Sequence, residues 1–231
     1  MANDYFEFKK FTVFQGKCAM KVGTDGTLLG AWADGGRRIL DIGTGTGLIA
    51  IMMAQRFPDA QVTGIDIVPS AVEQARENVM ASPFADRITI LEADVCQFEG
   101  QYDCIVSNPP FFEQSLTCPD NLRSQARHDT SLSYASLFKA VKSLLTEQGI
   151  FSLVVPYDYR NRVFEEAAMN GFFLHREWSV QTTPRKQPKR LLLTFALHSC
   201  ESIDTGVGLI EDAPGLRSSW YADLTAPFYL H

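Results

Sequence analysis

Short apolar runs alternate along the chain with longer amphipathic stretches, and glycine-rich or polar connectors separate them. "RRILDI", "AQVTGIDI", "RITILEAD", "YDCIVSN", "GIFSLVVP", "FFLHREWSV" and "RLLLTFAL" read as strands, several without strict alternation, as in strands buried on both faces. Between them, "GLIAIMMAQRF" has the length and composition of a helix. "PSAVEQARENVMA" opens with Pro69 at a helix start and continues with helix formers. "SLSYASLFKAVKSLL" puts Leu132, Leu137, Val141 and Leu144 or Leu145 on one stripe, and residues 160–169 form a further helix. Ahead of the first core strand, "GTDGTLLGAWA" predicts a short apolar helix with Thr24 and Asp25 as N-cap types. Phe6 and Phe8 alternate as in a strand before the spacing breaks. Strand and helix alternating through short loops predict an α/β fold, with a mostly parallel sheet covered on both faces. No repeat or linker divides the chain. We read one domain over residues 1–231: an N-terminal extension at 1–36, the core sheet at 37–200 and a C-terminal segment at 201–231.

Composition adds exclusions. The 231 residues are 45% hydrophobic and 21% charged, ordinary for a globular protein. No apolar run approaches the ~20 residues of a membrane span, and "MANDYFEFKK" lacks a signal-peptide core. Cys18, Cys96, Cys104, Cys118 and Cys200 are scattered, which points to reduced thiols in the cytoplasm and away from disulfides or zinc. The four histidines lie far apart, so no metal is expected. The net charge of −6 is unusual for a nucleic-acid binder. Yet Arg176, Arg185, Lys186, Lys189 and Arg190 crowd one stretch against Glu177 alone. A solvated loop and an RNA-facing strip fit that stretch equally well.

The chemistry begins at "LDIGTGTG", a strand-to-helix turn in which Gly43, Gly45 and Gly47 let the backbone approach a ligand. In an open α/β sheet this carboxyl-end crevice is where ligands bind. The dinucleotide fingerprint requires glycine at position 48, which is Leu48. The pattern is D-x-G-x-G-x-G, which brings the Asp41 carboxylate beside the ligand. That is unfavourable next to a pyrophosphate and favourable next to a sulfonium and an amino group, so S-adenosyl-L-methionine is expected over NAD. Asp66, ending "VTGID", suits the ribose hydroxyls of either cofactor, and Asp94, ending "LEAD", suits an adenine amino group.

"SNPPFF" follows the strand "YDCIVSN". Two prolines stop a strand, remove two donors and fix the carbonyl directions. The Asn108 side-chain carbonyl and the Pro109 backbone carbonyl can accept both hydrogens of a conjugated amine. Pro110 completes the rigid turn, and Phe111 can stack on a base extruded from its helix.

Together, the glycine loop, the acidic strand ends and the N-P-P-F tetrad resemble class I S-adenosylmethionine-dependent methyltransferases of the branch that methylates conjugated amino groups. More closely, "KCAMKVGTDGTLLGAW", "LDIGTGTGLIAIMMAQR", "ENVMASPFADRI", "SNPPFFEQS", "RSQARHDTSLSYASL" and "TAPFYL" resemble the bacterial tRNA1(Val) adenine-37 N6-methyltransferase family over nearly the whole chain. The resemblance implies a seven-stranded Rossmann-like sheet with its last strand antiparallel, and tRNA as substrate. It implies no protein partner and no membrane. It also implies roles: Asp41, Gly43 and Gly45 at the methionine and ribose, Asp66 at the ribose, and Asp94 with Val95 at the adenine. Residues 108–111 hold the target base. Lys21 and the turn at Thr24 close over the methionine end, and Arg123, Arg127 and His128 lie near the RNA. Arg185, Lys186, Lys189 and Arg190 are further RNA candidates. Rivals are a protein glutamine N5-methyltransferase, although only about 36 residues precede the core, an rRNA guanine-N2 enzyme, a DNA methyltransferase, and a catalytically inert RNA-binding copy.

Overall fold

A computed structural model describes residues 4–18, 20–109 and 132–230. Each predicted strand forms, the central ones covered on both sides and the outer ones partly exposed. In chain order, the hairpin β1 (Tyr5–Glu7) and β2 (Thr12–Phe14) precedes α1 (Thr24–Trp32). The core alternates β3 (Arg38–Ile42), α2 (Leu48–Arg56), β4 (Gln61–Asp66), α3 (Pro69–Ala81), β5 (Ile88–Glu92) and β6 (Tyr102–Ser107). It continues with α4 (Tyr134–Leu144), β7 (Leu145–Pro156), α5 (Arg160–Met169), β8 (Phe173–Gln181) and β9 (Arg190–Ala196). The end of the chain adds β10 (Asp204–Leu209), the short pair β11 (Glu211–Ala213) and β12 (Leu216–Arg217), and α6 (Ser219–Thr225).

The main sheet runs β10-β8-β9-β7-β6-β3-β4-β5. All neighbouring pairs are parallel except those of β9, which is antiparallel to both β7 and β8. The fold class is therefore as expected, and the antiparallel strand is the expected one. The strand count differs: the sheet has eight strands, because β10, inside the stretch read as a C-terminal segment, pairs with β8. Its sequence "DTGVGL" carries two glycines and almost no apolar signal. Those glycines make room: a Cβ on Gly206 would meet the Trp178 ring at 2.7 Å, and one on Gly208 the Trp220 ring at 2.3 Å. The two indoles stack 5.8 Å apart at 14°.

Two apolar layers cover the sheet. One includes Leu28, Leu29, Ile49, Met52, Met53, Val72 and Phe228 beneath α1, α2 and α3. The other includes Phe138, Phe151, Phe172 and Phe195 beneath α4 and α5, where Phe138 meets the other three rings at 5.3–5.5 Å, edge-on or nearly so. The N-terminal hairpin docks on the end of the chain: Lys9 donates its backbone N–H to Phe228 O, and Phe8 stacks on Tyr229. Among the described residues, no helix is long and apolar enough to cross a membrane, and no group of acidic, histidine and cysteine side chains could hold a metal.

The parallel strands β3, β4, β5 and β6 all end at one edge of the sheet. The register pairs Ile42 with Ser107 and with Ile65, and Asp66 with Glu92. β9 starts at the same edge, with Arg190 opposite Pro156 and Val180.

Candidate active site

The glycine loop is built by its own hydrogen bonds. The backbone N–H groups of Gly43 and Thr44 both donate to Ile65 O at 2.9 Å, which ties the loop to the neighbouring strand. Gly43 (φ +71°) and Gly45 (φ +54°) take the left-handed conformation, which costs other residues about 1–2 kcal/mol. A Cβ on Gly43 would find no atom within 4 Å, and one on Gly45 would find only Gly43 O at 4.0 Å. The space in front of the loop is open. Gly47 is left-handed as well (φ +80°), and it also serves packing, since its Cβ would press on Ala75 of α3 at 3.3 Å.

Asp41 lies behind this loop and is fully buried. Its Oδ2 accepts the Thr44 hydroxyl at 2.7 Å and the Ala50 N–H at 3.1 Å. Its Oδ1 has no partner. Burial pushes the carboxyl up to about 7; the bonds from Thr44 and Ala50 oppose the rise, and nearby Asp66 adds to it. Asp66 accepts the Gly45 N–H at 2.9 Å on Oδ2 and the Val68 N–H at 2.9 Å on Oδ1. A carboxylate offers about four acceptor positions, so each oxygen keeps one for a ligand hydroxyl. Asp94 lies in the turn just beyond β5 and accepts the Cys96 N–H at 2.9 Å, which is an Asx turn. Val95 beside it is buried.

Asn108 follows β6 directly. Ser107 anchors that strand end by donating its hydroxyl to Ile42 O at 2.9 Å. The Asn108 Oδ1 is buried and unpartnered, and the following Pro109 is buried. Two orphaned acceptors, Asp41 Oδ1 and Asn108 Oδ1, thus stand at the ends of neighbouring strands. Burying such atoms unpaired costs about 1–3 kcal/mol each. A cationic amine and an exocyclic amine would satisfy them, so the site fits S-adenosylmethionine and an adenine. Pro110, Phe111, Arg123, Arg127 and His128 lie outside the described residues.

The remaining sequence candidates are placed unevenly. Lys21, just ahead of α1, and Thr24, its first residue, are exposed. The N-cap of α1 is Gly23, and neither Thr24 nor Asp25 caps the helix. Instead Asp25 reaches Arg190 Nε at 2.7 Å. Arg176 also leaves the basic strip, since it pairs with Asp34 and Asp204, while Glu177 pairs with Arg160. Arg185, Lys186 and Lys189 remain exposed in the β8–β9 turn, at the same edge as the glycine loop.

Two contributors were not singled out from the sequence. Thr44 is one, and Asn78 of α3 is the other. Asn78 is fully buried; it accepts Phe14 N–H at 2.8 Å and donates to Phe14 O and Thr46 O at 2.8 Å each. The visible signal was the pair Gln74 and Asn78, one turn apart among the residues that α3 buries.

Comparison with known proteins agrees with this geometry. Residues 22–176 match the family model described as the methyltransferase small domain. The chain is 48% identical over 236 residues to the tRNA1(Val) (adenine(37)-N6)-methyltransferase of Bacteroides thetaiotaomicron, with 100% of this chain and 99% of the relative covered. It is 46% identical to the protein of the same name from Phocaeicola vulgatus, with both chains covered completely. In fold it is similar to a structure described as a predicted O-methyltransferase from Agrobacterium tumefaciens: TM-score 0.68 at 19% identity, covering 88% of this chain and 96% of that one. Taken with the glycine loop and the orphaned acceptors, these likenesses place the chain in the tRNA1(Val) (adenine(37)-N6)-methyltransferase family.

Proposed function

We propose that this protein methylates N6 of adenosine 37 in tRNA1(Val) in the cytoplasm, with S-adenosyl-L-methionine as methyl donor. The observation that carries the reading is the pair of unpartnered acceptors, Asp41 Oδ1 and Asn108 Oδ1, at the ends of the neighbouring strands β3 and β6, beside the open glycine loop.

S-adenosylmethionine, when bound, supplies a methyl group already activated on a sulfonium. The chain's own residues do the rest. Asp41 offers an anion to the cationic amino acid end, Gly43 and Gly45 leave room for it, and Lys21 and Thr24 close the methionine end. Asp66 takes the ribose hydroxyls on its free acceptor positions, and Asp94 and Val95 meet the adenine. The exocyclic nitrogen of the target is a poor nucleophile because its lone pair is delocalised into the ring. Asn108 Oδ1 and the Pro109 carbonyl hold both its hydrogens, which aims the lone pair. They also grip harder as positive charge grows on that nitrogen. Pro110 fixes the turn and Phe111 stacks on the base, repaying part of the cost of extruding it. Arg123, Arg127 and His128 with the turn cations Arg185, Lys186 and Lys189 meet the RNA backbone. The reaction needs no metal, no membrane and no second protein chain, and the whole chain acts as one domain.

The test is mass spectrometry of nucleosides from digested tRNA of cells with and without the gene. Loss of N6-methyladenosine from one valine tRNA supports the reading. Intact N6-methyladenosine in that tRNA overturns it, and a methylated glutamine lost from the protein digest of the same cells would move the assignment to the protein-directed rival.

A further inference from the structure

We infer that the ion pair between Asp25 and Arg190 is a positioning device for the amine-binding end of Asn108, and that Arg190 is not an RNA contact. The inference rests on the proposed function for what Asn108 holds, and on the structure for the rest.

The first turn of α1 faces the Asn108 side chain. A Cβ built on Gly26 would lie 3.9 Å from Asn108 Nδ2 and 3.3 Å from Leu48 Cδ2. The amide therefore rests against the helix backbone, and its Oδ1 is left without a partner. Any drift of this turn moves the wall that sets the direction of that oxygen. The body of α1 is fixed by packing, with Leu28 and Leu29 buried. Its start has less to hold it, because the N-cap Gly23 brings no side chain to the exposed N–H groups. Two side chains reach that start from outside: Gln15, whose Oε1 accepts the Val22 N–H at 2.8 Å just ahead of the N-cap, and Arg190, which alone among them brings a charge to the helical first turn. Its Nε donates to Asp25 Oδ2 at 2.7 Å, and its Nη1 donates to Lys189 O at 2.9 Å. Both partners of the pair are largely covered, at 33% and 23% side-chain exposure, so solvent screens the contact less than on an open surface. Arg190 is itself fixed, as the first residue of β9, opposite Pro156 and Val180. The ion pair thus ties the start of α1 to the sheet edge that carries the site. A guanidinium spent on a carboxylate is a poor phosphate contact, which leaves that role to Arg185, Lys186 and Lys189.

The experiment uses the full chain with Asp25→Asn, Arg190→Gln, Arg190→Lys and the double variant Asp25→Asn/Arg190→Gln. Each neutralising single variant should lower kcat about tenfold to a hundredfold, the usual cost of a small misplacement. The KM for tRNA and the Kd for S-adenosylmethionine should stay within about twofold. Arg190→Lys should recover part of the rate, and the double variant should be no slower than either single one, as for two residues of one unit. Amide hydrogen exchange at residues 24–28, read without tRNA, should accelerate in both single variants. A raised tRNA KM with unchanged kcat in Arg190→Gln, a lowered tRNA KM in Asp25→Asn, or unaltered exchange in the first turn of α1 overturns the inference. Wild-type protein that methylates no tRNA defeats the proposed function instead, and the exchange measurement then decides the positioning role by itself.

Discussion

Thr44 donates its hydroxyl to Asp41 Oδ2 at 2.7 Å, while the other oxygen of the same buried carboxylate has no partner. One oxygen shapes the glycine loop and the other is left unpaired at the end of β3. Burial holds the Asp41 carboxyl at about 7 in the folded protein, well above its ordinary value near 4. Below about pH 4 the group is neutral in both folded and unfolded chains, and its stabilising contribution is complete. As pH rises through 7 the folded chain must ionise a buried group, and that contribution is lost. Without cofactor, the melting temperature should therefore fall between pH 5 and pH 8, and Asp41→Asn should flatten this slope. Cofactor binding should run the other way, because a cationic ligand selects the ionised form. One proton with that pKa makes the S-adenosylmethionine Kd about tenfold weaker at pH 6 than at pH 8. Calorimetric titration across this range checks it; an equal Kd at both values would remove Asp41 from the cofactor site.

Asn108→Ala should abolish methyl transfer while cofactor binding survives. Removing one oriented polar group from a developing charge costs about a hundredfold to a thousandfold in kcat, and the cofactor's main anchors are elsewhere. Calorimetric binding beside a tritium-transfer assay checks both halves. Full activity in the variant ends the amine-holding role.

Asp66→Ala should weaken cofactor affinity more than any other single change among the three acids. It removes the acceptor we propose for the ribose hydroxyls and also frees the Gly45 and Val68 N–H groups. Hydrogen bonds to a charged group contribute about 1.5–3 kcal/mol each, which corresponds to a tenfold to hundredfold rise in Kd. Asp66→Asn, which keeps one acceptor oxygen, should fall between. An unchanged dissociation constant would refute the assignment.

The parallel core was legible because its strands are buried on both faces and stop at punctuation that has a physical meaning: Asp41 before a glycine loop, Asp66 before Pro69, Asn108 before two prolines. β10 was not legible. A strand whose alternate positions are Gly206 and Gly208 carries no apolar stripe, and its pairing is decided by Trp178 and Trp220, residues far away in sequence. The charge of the 176–190 stretch was legible, but its use was not. Sequence counts cations, whereas the fold decides which of them meet a carboxylate, and Asp25, Asp34 and Asp204 come from distant segments. Thr44 and Asn78 were hidden for a related reason: threonine between glycines and asparagine in a helix have ordinary surface explanations until burial excludes them.

Asn78 is the residue through which the N-terminal extension and the cofactor loop share one support. Its amide makes three hydrogen bonds, two to the backbone of Phe14 and one to Thr46 O. Gln74, one turn earlier, accepts from Lys17 N–H at 3.1 Å, so the extension is stitched along α3. Asn78→Ala leaves the Phe14 N–H and two carbonyls without their partner, at a cost of about 2–4 kcal/mol in stability. Asn78→Asp is nearly the same size but sets a carboxylate against the carbonyls of Phe14 and Thr46, so it should be at least as harmful. Both variants should also raise the S-adenosylmethionine Kd, because Thr46 sits between Gly45 and Gly47. Urea denaturation measured with and without cofactor separates the two effects. If the loop depends on Asn78, the extra stability conferred by a fixed cofactor concentration shrinks in both variants; if Asn78 only supports the hairpin, stability drops and that increment stays at its wild-type size.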